Sequence, residues 1–219
     1  MLKRPRDGVL TSEAGAGTAP SWTMVLDTET SGLPTRSGSS FCGPPTQTSL
    51  YDSARLIELA YILIDSKTKE EIRRESFLVK PTFPITNSHI HGITQELAER
   101  DGVDLSVVFE ALRTDMALCS RLVAHNAEFD THILRSECYR AKEGALAALI
   151  ESKQTRCTMK MGTIGRRKWP KLTELHARLL PSTGDTPIVQ THRALADTEL
   201  CLACYRILTT ETPPPVLVA

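Results

Sequence analysis

Apolar residues along this chain fall into short runs with the length and composition of β-strands. Residues 56–64 are almost continuously apolar, and residues 22–26 lead into the polar stretch Asp27-Thr28-Glu29-Thr30. A continuous apolar run of this length suits a central strand that is buried on both faces. Three further strands are predicted at residues 72–79, 121–125 and 155–159. The pattern therefore predicts a five-stranded sheet.

Helical periodicity appears between and after these strands. Helices are predicted over residues 103–118, 128–141 and 143–152, from Leu172 to a stop at Pro181, and over residues 193–208. Asp130 precedes Ile133 and Leu134 by three and four residues, and Asp197 shares a helical face with Leu200. Both acids are therefore expected on buried helix faces, where a carboxylate indicates function more strongly than on a solvated face.

The ordered domain is expected to span residues 22–209, between a flexible N-terminal tail at residues 1–21 and a C-terminal tail at residues 210–219. Lys3-Arg4-Pro5-Arg6 in the first tail is a short candidate nuclear address. A long loop rich in Gly, Pro and Ser, at residues 34–53, leaves the strand that ends in Asp27 and Glu29. This loop should hang beside those acids, and it either shapes substrate access or is disordered.

The formal net charge is zero, so the chain has no global basic field that would attract nucleic acid. Binding would need a local patch, and the densest one is Arg166-Arg167-Lys168-Trp169-Pro170-Lys171, which combines charge with an aromatic surface. No apolar run is long enough to span a membrane, and no signal peptide opens the chain. We expect an intracellular protein with no membrane contact, and both nucleus and cytoplasm remain open.

The six cysteines show no zinc-binding spacing and are scattered through predicted core elements, as in a reduced intracellular protein. Cys201 and Cys204 lie one turn apart on the apolar face of the last predicted helix. They are interpreted as core residues rather than as a redox pair.

Four acids are candidates for one site. Asp27 and Glu29 project to the same side of a strand, and Asp130 and Asp197 face inward from two helices. Converging carboxylates repel each other unless cations lie between them, and two Mg²⁺ ions, with Mn²⁺ as a substitute, would hold a phosphodiester for attack by water. His192, just before the last helix, supplies a candidate general base.

Glu58 lies inside the apolar run 56–64, where burying a carboxylate is costly unless it is paired. We interpret it as a structural hydrogen-bonding group near the site rather than as a metal ligand.

Three segments resemble the motifs of the DEDDh 3′→5′ exonucleases, which include the epsilon proofreading subunit of bacterial DNA polymerase III and the three-prime repair exonucleases. They are Asp27-Thr28-Glu29-Thr30-Ser31-Gly32-Leu33-Pro34, His125-Asn126-Ala127-Glu128-Phe129-Asp130 and His192-Arg193-Ala194-Leu195-Ala196-Asp197. The resemblance covers about residues 22–208. It implies an α/β, RNase H-like exonuclease fold with a mixed five-stranded sheet flanked by helices. It also implies metal-dependent release of 5′-mononucleotides from 3′ ends.

The resemblance further implies contacts with the substrate. Leu33 would meet the terminal bases, the segment containing Ile90 and His91 would line the terminal nucleotide pocket, and Phe129 would close it. Thr28 and Asn126, inside the first two motifs, complete the expected contact set. The alternative is that Ile90 and Phe129 are ordinary core residues and that His91 forms only local hydrogen bonds.

Three functions remain open at this point. The first is an exonuclease that acts on single-stranded DNA or on mispaired 3′ ends. The second is an exoribonuclease of the same fold, since the motifs do not read the sugar. The third is a non-catalytic nucleic-acid-binding subunit of a polymerase, although none of the four acids is missing. Whether the chain has a polymerase partner or forms a homodimer is undetermined from the sequence.

Overall fold

The computed structural model describes residues 21–36, 42–163, 168–180 and 192–210. Their core is a mixed five-stranded sheet in the order β3-β2-β1-β4-β5, which confirms the predicted fold class. The strands are β1 (Trp22–Thr30), β2 (Leu56–Asp65), β3 (Glu71–Leu78), β4 (Cys119–Ala124) and β5 (Gln154–Cys157). β2 pairs antiparallel with both β1 and β3, whereas β4 pairs parallel with β1 and β5.

Helices cover both faces of this sheet. They are α1 (Ser88–His91), α2 (Gln95–Asp101), α3 (Leu105–Leu118), α4 (Ala127–Arg140), α5 (Gly144–Glu151), α6 (Thr158–Met161), α7 (Leu172–Leu179) and α8 (Ala194–Leu208). A short 3-10 helix, Thr48–Tyr51, precedes β2. No helix in the described ranges has the length and apolar character needed to cross a membrane.

The alternation of side chains along β1 divides the core into two layers. Met24 and Leu26 pack in the cluster that includes residues of α3, α4 and α5, whereas Val25 packs with residues of α7 and α8. Because faces alternate along a strand, Asp27 and Glu29 share the side of Val25, and Thr28 shares the side of Leu26. Cys201 and Cys204 are buried in the α7–α8 layer as free thiols, which confirms their interpretation as core residues.

The structure corrects several predicted boundaries. β1 continues through the acids to Thr30, because β2 pairs with it along its whole length. Residues 88–101, where the sequence pattern predicted no helix, contain α1 and α2. α2 is mostly polar but is capped by the Thr94 hydroxyl, which accepts from the Leu97 N–H. β5 ends at Cys157, where α6 begins.

Some predictions fall on residues 1–20, 37–41, 164–167, 181–191 and 211–219, outside the described ranges. They concern most of both tails, part of the long loop after β1, and Arg166 and Arg167 of the basic cluster. Within that long loop, the described part includes the 3-10 helix, whose Tyr51 is fully buried.

Candidate active site

The first two acids come from the part of β1 that extends past its neighbour β4. β4 pairs with β1 only from Trp22 to Val25, so the next residues of β1 have no strand on that side. Asp27 and Glu29 are half-buried there and lie on the α8 side of the sheet. Because β4 is short, a gap remains beside the last residues of β1, and side chains from other elements enter it.

Asp130 enters this gap from the first turn of α4, on the opposite side of the sheet. Its Oδ1 accepts two hydrogen bonds from Thr28, one from the backbone N–H at 3.1 Å and one from the hydroxyl at 2.8 Å. The carboxylate therefore replaces the missing β4 partner of the Thr28 N–H. Thr28, predicted as a substrate contact, is buried and positions Asp130 in this structure.

Asp197 lies in the first turn of α8 and is buried. His192 precedes that helix, is exposed, and has a left-handed backbone with φ of 49°. One ring nitrogen of His192 and single carboxylate oxygens of Glu29 and Asp197 all lie within 4.8 Å of one another. The structure thus brings His192 to the acids from the loop before α8, although it lies five residues from Asp197 in sequence.

Glu58 connects this loop to the sheet. It stands opposite Glu29 in the β1–β2 register and is only 2% exposed. Its carboxylate accepts from the Arg193 guanidinium at 2.5 Å and from the Ala194 N–H at 2.9 Å. These bonds confirm the structural interpretation of Glu58, and they fix the backbone directly after His192.

Three of the four carboxyl groups have raised pKa values. Burial raises the pKa of Asp27 well above its usual range, and repulsion by Asp130, Asp197 and Glu29 raises it further. Burial, followed by repulsion from Asp197, Glu58 and Asp130, raises the pKa of Glu29 to about 8. Burial also raises the pKa of Asp130 to about 7, although its bonds with Thr28 oppose the shift. The four acids therefore form one mutually repelling cluster.

This donor set fits divalent cations. Carboxylate oxygens are the ligands that Mg²⁺ and Mn²⁺ prefer, and positive charge would relieve the repulsion that adds to burial in raising the pKa values of Asp27 and Glu29. Asp27, Glu29, Asp130 and Asp197 are the residues that would hold the ions.

The predicted substrate contacts differ in exposure. Leu33 is 64% exposed and Ile90 is 49% exposed, so both side chains can meet a ligand. The α1 segment is fastened to the end of β1 by the Asn87 side chain, which donates to the Thr30 carbonyl at 2.9 Å. His91 is buried; one ring nitrogen bonds with Asn87 and the other accepts from the Ile93 N–H. In this structure His91 forms local hydrogen bonds.

Two predicted contacts lie at the start of α4. Phe129 is half-buried and packs against the core on the α3–α5 side. Asn126, the residue before α4, has φ of 69°, a conformation that asparagine tolerates better than most residues, and its carbonyl accepts from the Phe129 N–H at 2.8 Å. This turn is what brings α4 back across the end of β4 and directs Asp130 toward Thr28.

His125 is a residue whose role the sequence did not indicate. Its Nε2 lies 3.0 Å from the Pro170 carbonyl, and its Nδ1 lies 3.0 Å from the Thr158 hydroxyl. A carbonyl only accepts, so Nε2 carries the proton, and burial lowers the pKa of the ring. Neutral His125 thus ties β4 to α6 and to the segment before α7. The only sequence signal was its place at the start of the second motif.

The described part of the basic cluster lies in that segment before α7. Trp169 is 59% exposed, and Lys168 and Lys171 are also exposed. Lys168 lies 3.8 Å from a carboxylate oxygen of Glu174. The bond between His125 and Pro170 holds this exposed segment near the end of β4.

The profile of the RNase T exonuclease family matches residues 24–205 of this chain. This range contains all four acids and His192. No protein among the functionally curated sequences matches.

Solved nuclease structures share the fold. Exonuclease X in complex with 5′ overhanging duplex DNA superposes with a TM-score of 0.56 at 20% identity, over 89% of this chain and 95% of that one. A zinc-bound E. coli exonuclease I complex with single-stranded DNA gives 0.63 at 20% identity, over 88% and 41%. Exonuclease I from Methylocaldum szegediense gives 0.63 at 19% identity, over 90% and 42%. The chain thus spans about two fifths of the exonuclease I chains.

Proposed function

This chain belongs to the RNase T exonuclease family, and from that membership we propose that it is a metal-dependent 3′→5′ exonuclease. Its proposed substrate is the 3′ end of single-stranded or mispaired DNA, and its product is the 5′-mononucleotide. The observation that carries the proposal is the convergence of Asp27, Glu29, Asp130 and Asp197 from β1, α4 and α8 into one repelling cluster. A non-catalytic binding module would have no need to maintain four such acids.

Asp27, Glu29, Asp130 and Asp197 are proposed to hold two Mg²⁺ ions. When bound, such ions lower the pKa of water and stabilise the charge that develops on the phosphate. The protein's contribution is to keep the four carboxylates in place: Thr28 fixes Asp130, and the Glu58–Arg193 pair fixes the start of α8, which carries Asp197. Without these bonds the repulsion among the acids would spread the cluster apart.

His192 is proposed as the general base. A ring nitrogen close to Glu29 and Asp197 can take the proton from the attacking water beside the cluster. Its exposed position gives the imidazole access to solvent, to which it can pass the proton after hydrolysis.

The terminal nucleotides are proposed to rest on exposed apolar side chains. Leu33 follows β1, and Ile90 belongs to the α1 segment that Asn87 fastens to the same end of β1. Apolar contact between these side chains and the face of a base does not depend on which base is present, which suits an enzyme that removes any terminal nucleotide. Phe129, His91 and Asn126 are proposed to shape the rest of this pocket.

End-selectivity tests the proposal. We expect a 5′-labelled linear single strand to shorten in one-nucleotide steps in Mg²⁺, while a 3′-blocked strand and a circular strand resist. Rapid cutting of the circle would show an endonuclease and refute the proposal. An RNA strand of the same sequence, assayed in parallel, decides the sugar preference. We expect faster digestion of DNA, as the DNA complexes of exonucleases X and I suggest. Preferential digestion of RNA would overturn the proposed DNA substrate.

A further inference from the structure

A groove of about 450 Å³ lies between the start of α4 and the open edge of β5, outside the cluster of acids. Its polar lining consists mainly of Glu128 and Thr131 from α4, Thr155 and Arg156 from β5, and Lys160 from α6. We call this surface the β5 groove. The proposed mechanism assigns no role to any of these five residues.

The β5 groove has the charge of an anion-binding surface. Arg156 and Lys160 are exposed, and no carboxylate among the described residues lies within ion-pair distance of either. Glu128 is the one acid of the lining, so the two cations outnumber it. The groove also adjoins the N-terminus of the 14-residue helix α4, where the helix dipole favours negative charge.

The topology of the sheet places the β5 groove beside the candidate active site. α4 contributes Asp130 to the acids and Glu128 and Thr131 to the groove. β5 lies two strands from β1, which at about 4.8 Å per strand is roughly 10 Å. A strand whose 3′ end lies at the acids can therefore reach the groove within its first few nucleotides.

We infer that the β5 groove binds the sugar-phosphate backbone of the substrate strand, on the 5′ side of the reacting end. Arg156 and Lys160 contact phosphate oxygens of this backbone. This inference rests on the proposed exonuclease function. It also gives a chain with no net charge a local surface, with two cations and one acid, that can hold nucleic acid.

The test is the affinity of the full chain for 5′-fluorescein-labelled oligonucleotides, measured by anisotropy in EDTA so that no strand is cut. Each phosphate contact contributes about 0.7 to the slope of log affinity against log salt for a single strand. Arg156→Ala with Lys160→Ala should therefore flatten the slope for a 12-mer by about 1.4. At 0.2 M salt the double variant should bind the 12-mer roughly tenfold more weakly than the wild type does. At 0.05 M salt this difference between the two proteins should be larger by a further factor of about seven. A dinucleotide, which does not reach the groove, should bind both proteins equally.

Two controls separate the groove from general charge effects. Lys67→Ala with Lys153→Ala removes the same charge at the opposite end of the sheet, and should leave 12-mer affinity close to that of the wild type. Arg156→Lys with Lys160→Arg keeps the charge and should restore most of the affinity. Equal 12-mer binding by the groove variant and the wild type would overturn the inference, as would an equal loss with the dinucleotide.

Hydrolysis by the wild type in Mg²⁺ keeps the two proposals apart. Normal digestion of DNA, together with unchanged 12-mer binding by the Arg156→Ala, Lys160→Ala variant, overturns only the groove inference. A wild type that binds the 12-mer through the groove but releases no nucleotide overturns the exonuclease proposal and leaves groove binding established as a property of the chain.

Discussion

Replacing Glu29 with Gln should stabilise the metal-free protein, because the surroundings of Glu29 disfavour its ionised carboxylate. Burial and the neighbouring acids raise its pKa from 4.5 to about 8. The folded state therefore binds this proton more tightly than the unfolded state, and stability is lost as the pH rises from about 4.5 to 8. Glutamine carries no charge at either pH, so the Glu29→Gln variant escapes this loss.

The size of the effect follows from the pKa difference. One unit is worth about 1.4 kcal/mol, and pH 7 lies about 2.5 units above the unfolded value, so the gain at pH 7 is at most about 3.5 kcal/mol. For a domain of this size, that gain corresponds to a rise in Tm of up to about 14 °C. Below pH 4 the gain should vanish, because Glu29 is then protonated in both states.

The assay is thermal or urea unfolding in EDTA at pH 4 and pH 7, with Glu70→Gln as the control at an exposed position directly before β3. Saturating Mg²⁺ at pH 7 should stabilise the wild type more than Glu29→Gln, because the variant has lost a ligand. A Glu29→Gln variant that is no more stable than the wild type at pH 7 in EDTA, or that gains equally at both pH values, would refute the account of the repelling cluster.

Three further predictions concern the residues around the acids. Thr28→Val removes the hydroxyl donor to Asp130 and should lower kcat about 10–100-fold with little change in KM, whereas Thr28→Ser should retain activity. An unchanged kcat would show that Thr28 does not position Asp130 for the reaction. Arg193→Ala leaves the Glu58 carboxylate buried without its cation and should lower the free energy of unfolding in urea by about 1–3 kcal/mol. This loss is smaller than for a fully buried pair because Arg193 is itself half-exposed. An unchanged stability would show that the Ala194 N–H alone satisfies Glu58. Leu33→Ala should raise KM for single-stranded DNA several-fold at constant kcat, and a fall in kcat alone would contradict its role in binding.

The faces on which the four acids lie could be predicted from the sequence, because they depend on local periodicity. Asp27 and Glu29 share a strand face at a spacing of two, and Asp130 and Asp197 share faces with apolar residues at helical spacing. Glu58 was predictable for a related reason: a carboxylate inside a continuous apolar strand needs a partner, and Arg193 supplies it.

The rest of the site depends on contacts between distant segments, which periodicity does not encode. The bonds of Thr28 with Asp130 span 102 residues, and they exist because β4 is too short to pair with that part of β1. The role of His125 similarly depends on where Pro170 passes in space. The helix α2 was missed because its sequence is mostly polar, with Ala98 as its one buried residue.

Mg²⁺-dependent release of mononucleotides by the wild type and by Asp197→Asn tests the central claim most directly. The measurement is the initial rate of 5′-mononucleotide release from single-stranded DNA as Mg²⁺ is titrated from EDTA to saturation. The account predicts no release in EDTA and, for the wild type, a rate that rises to a plateau with Mg²⁺. For Asp197→Asn it predicts a rate at least about a thousandfold lower, because asparagine keeps the shape of the side chain but removes a charged ligand. Release that persists in EDTA, or an Asp197→Asn variant that digests DNA at the wild-type rate, would contradict it.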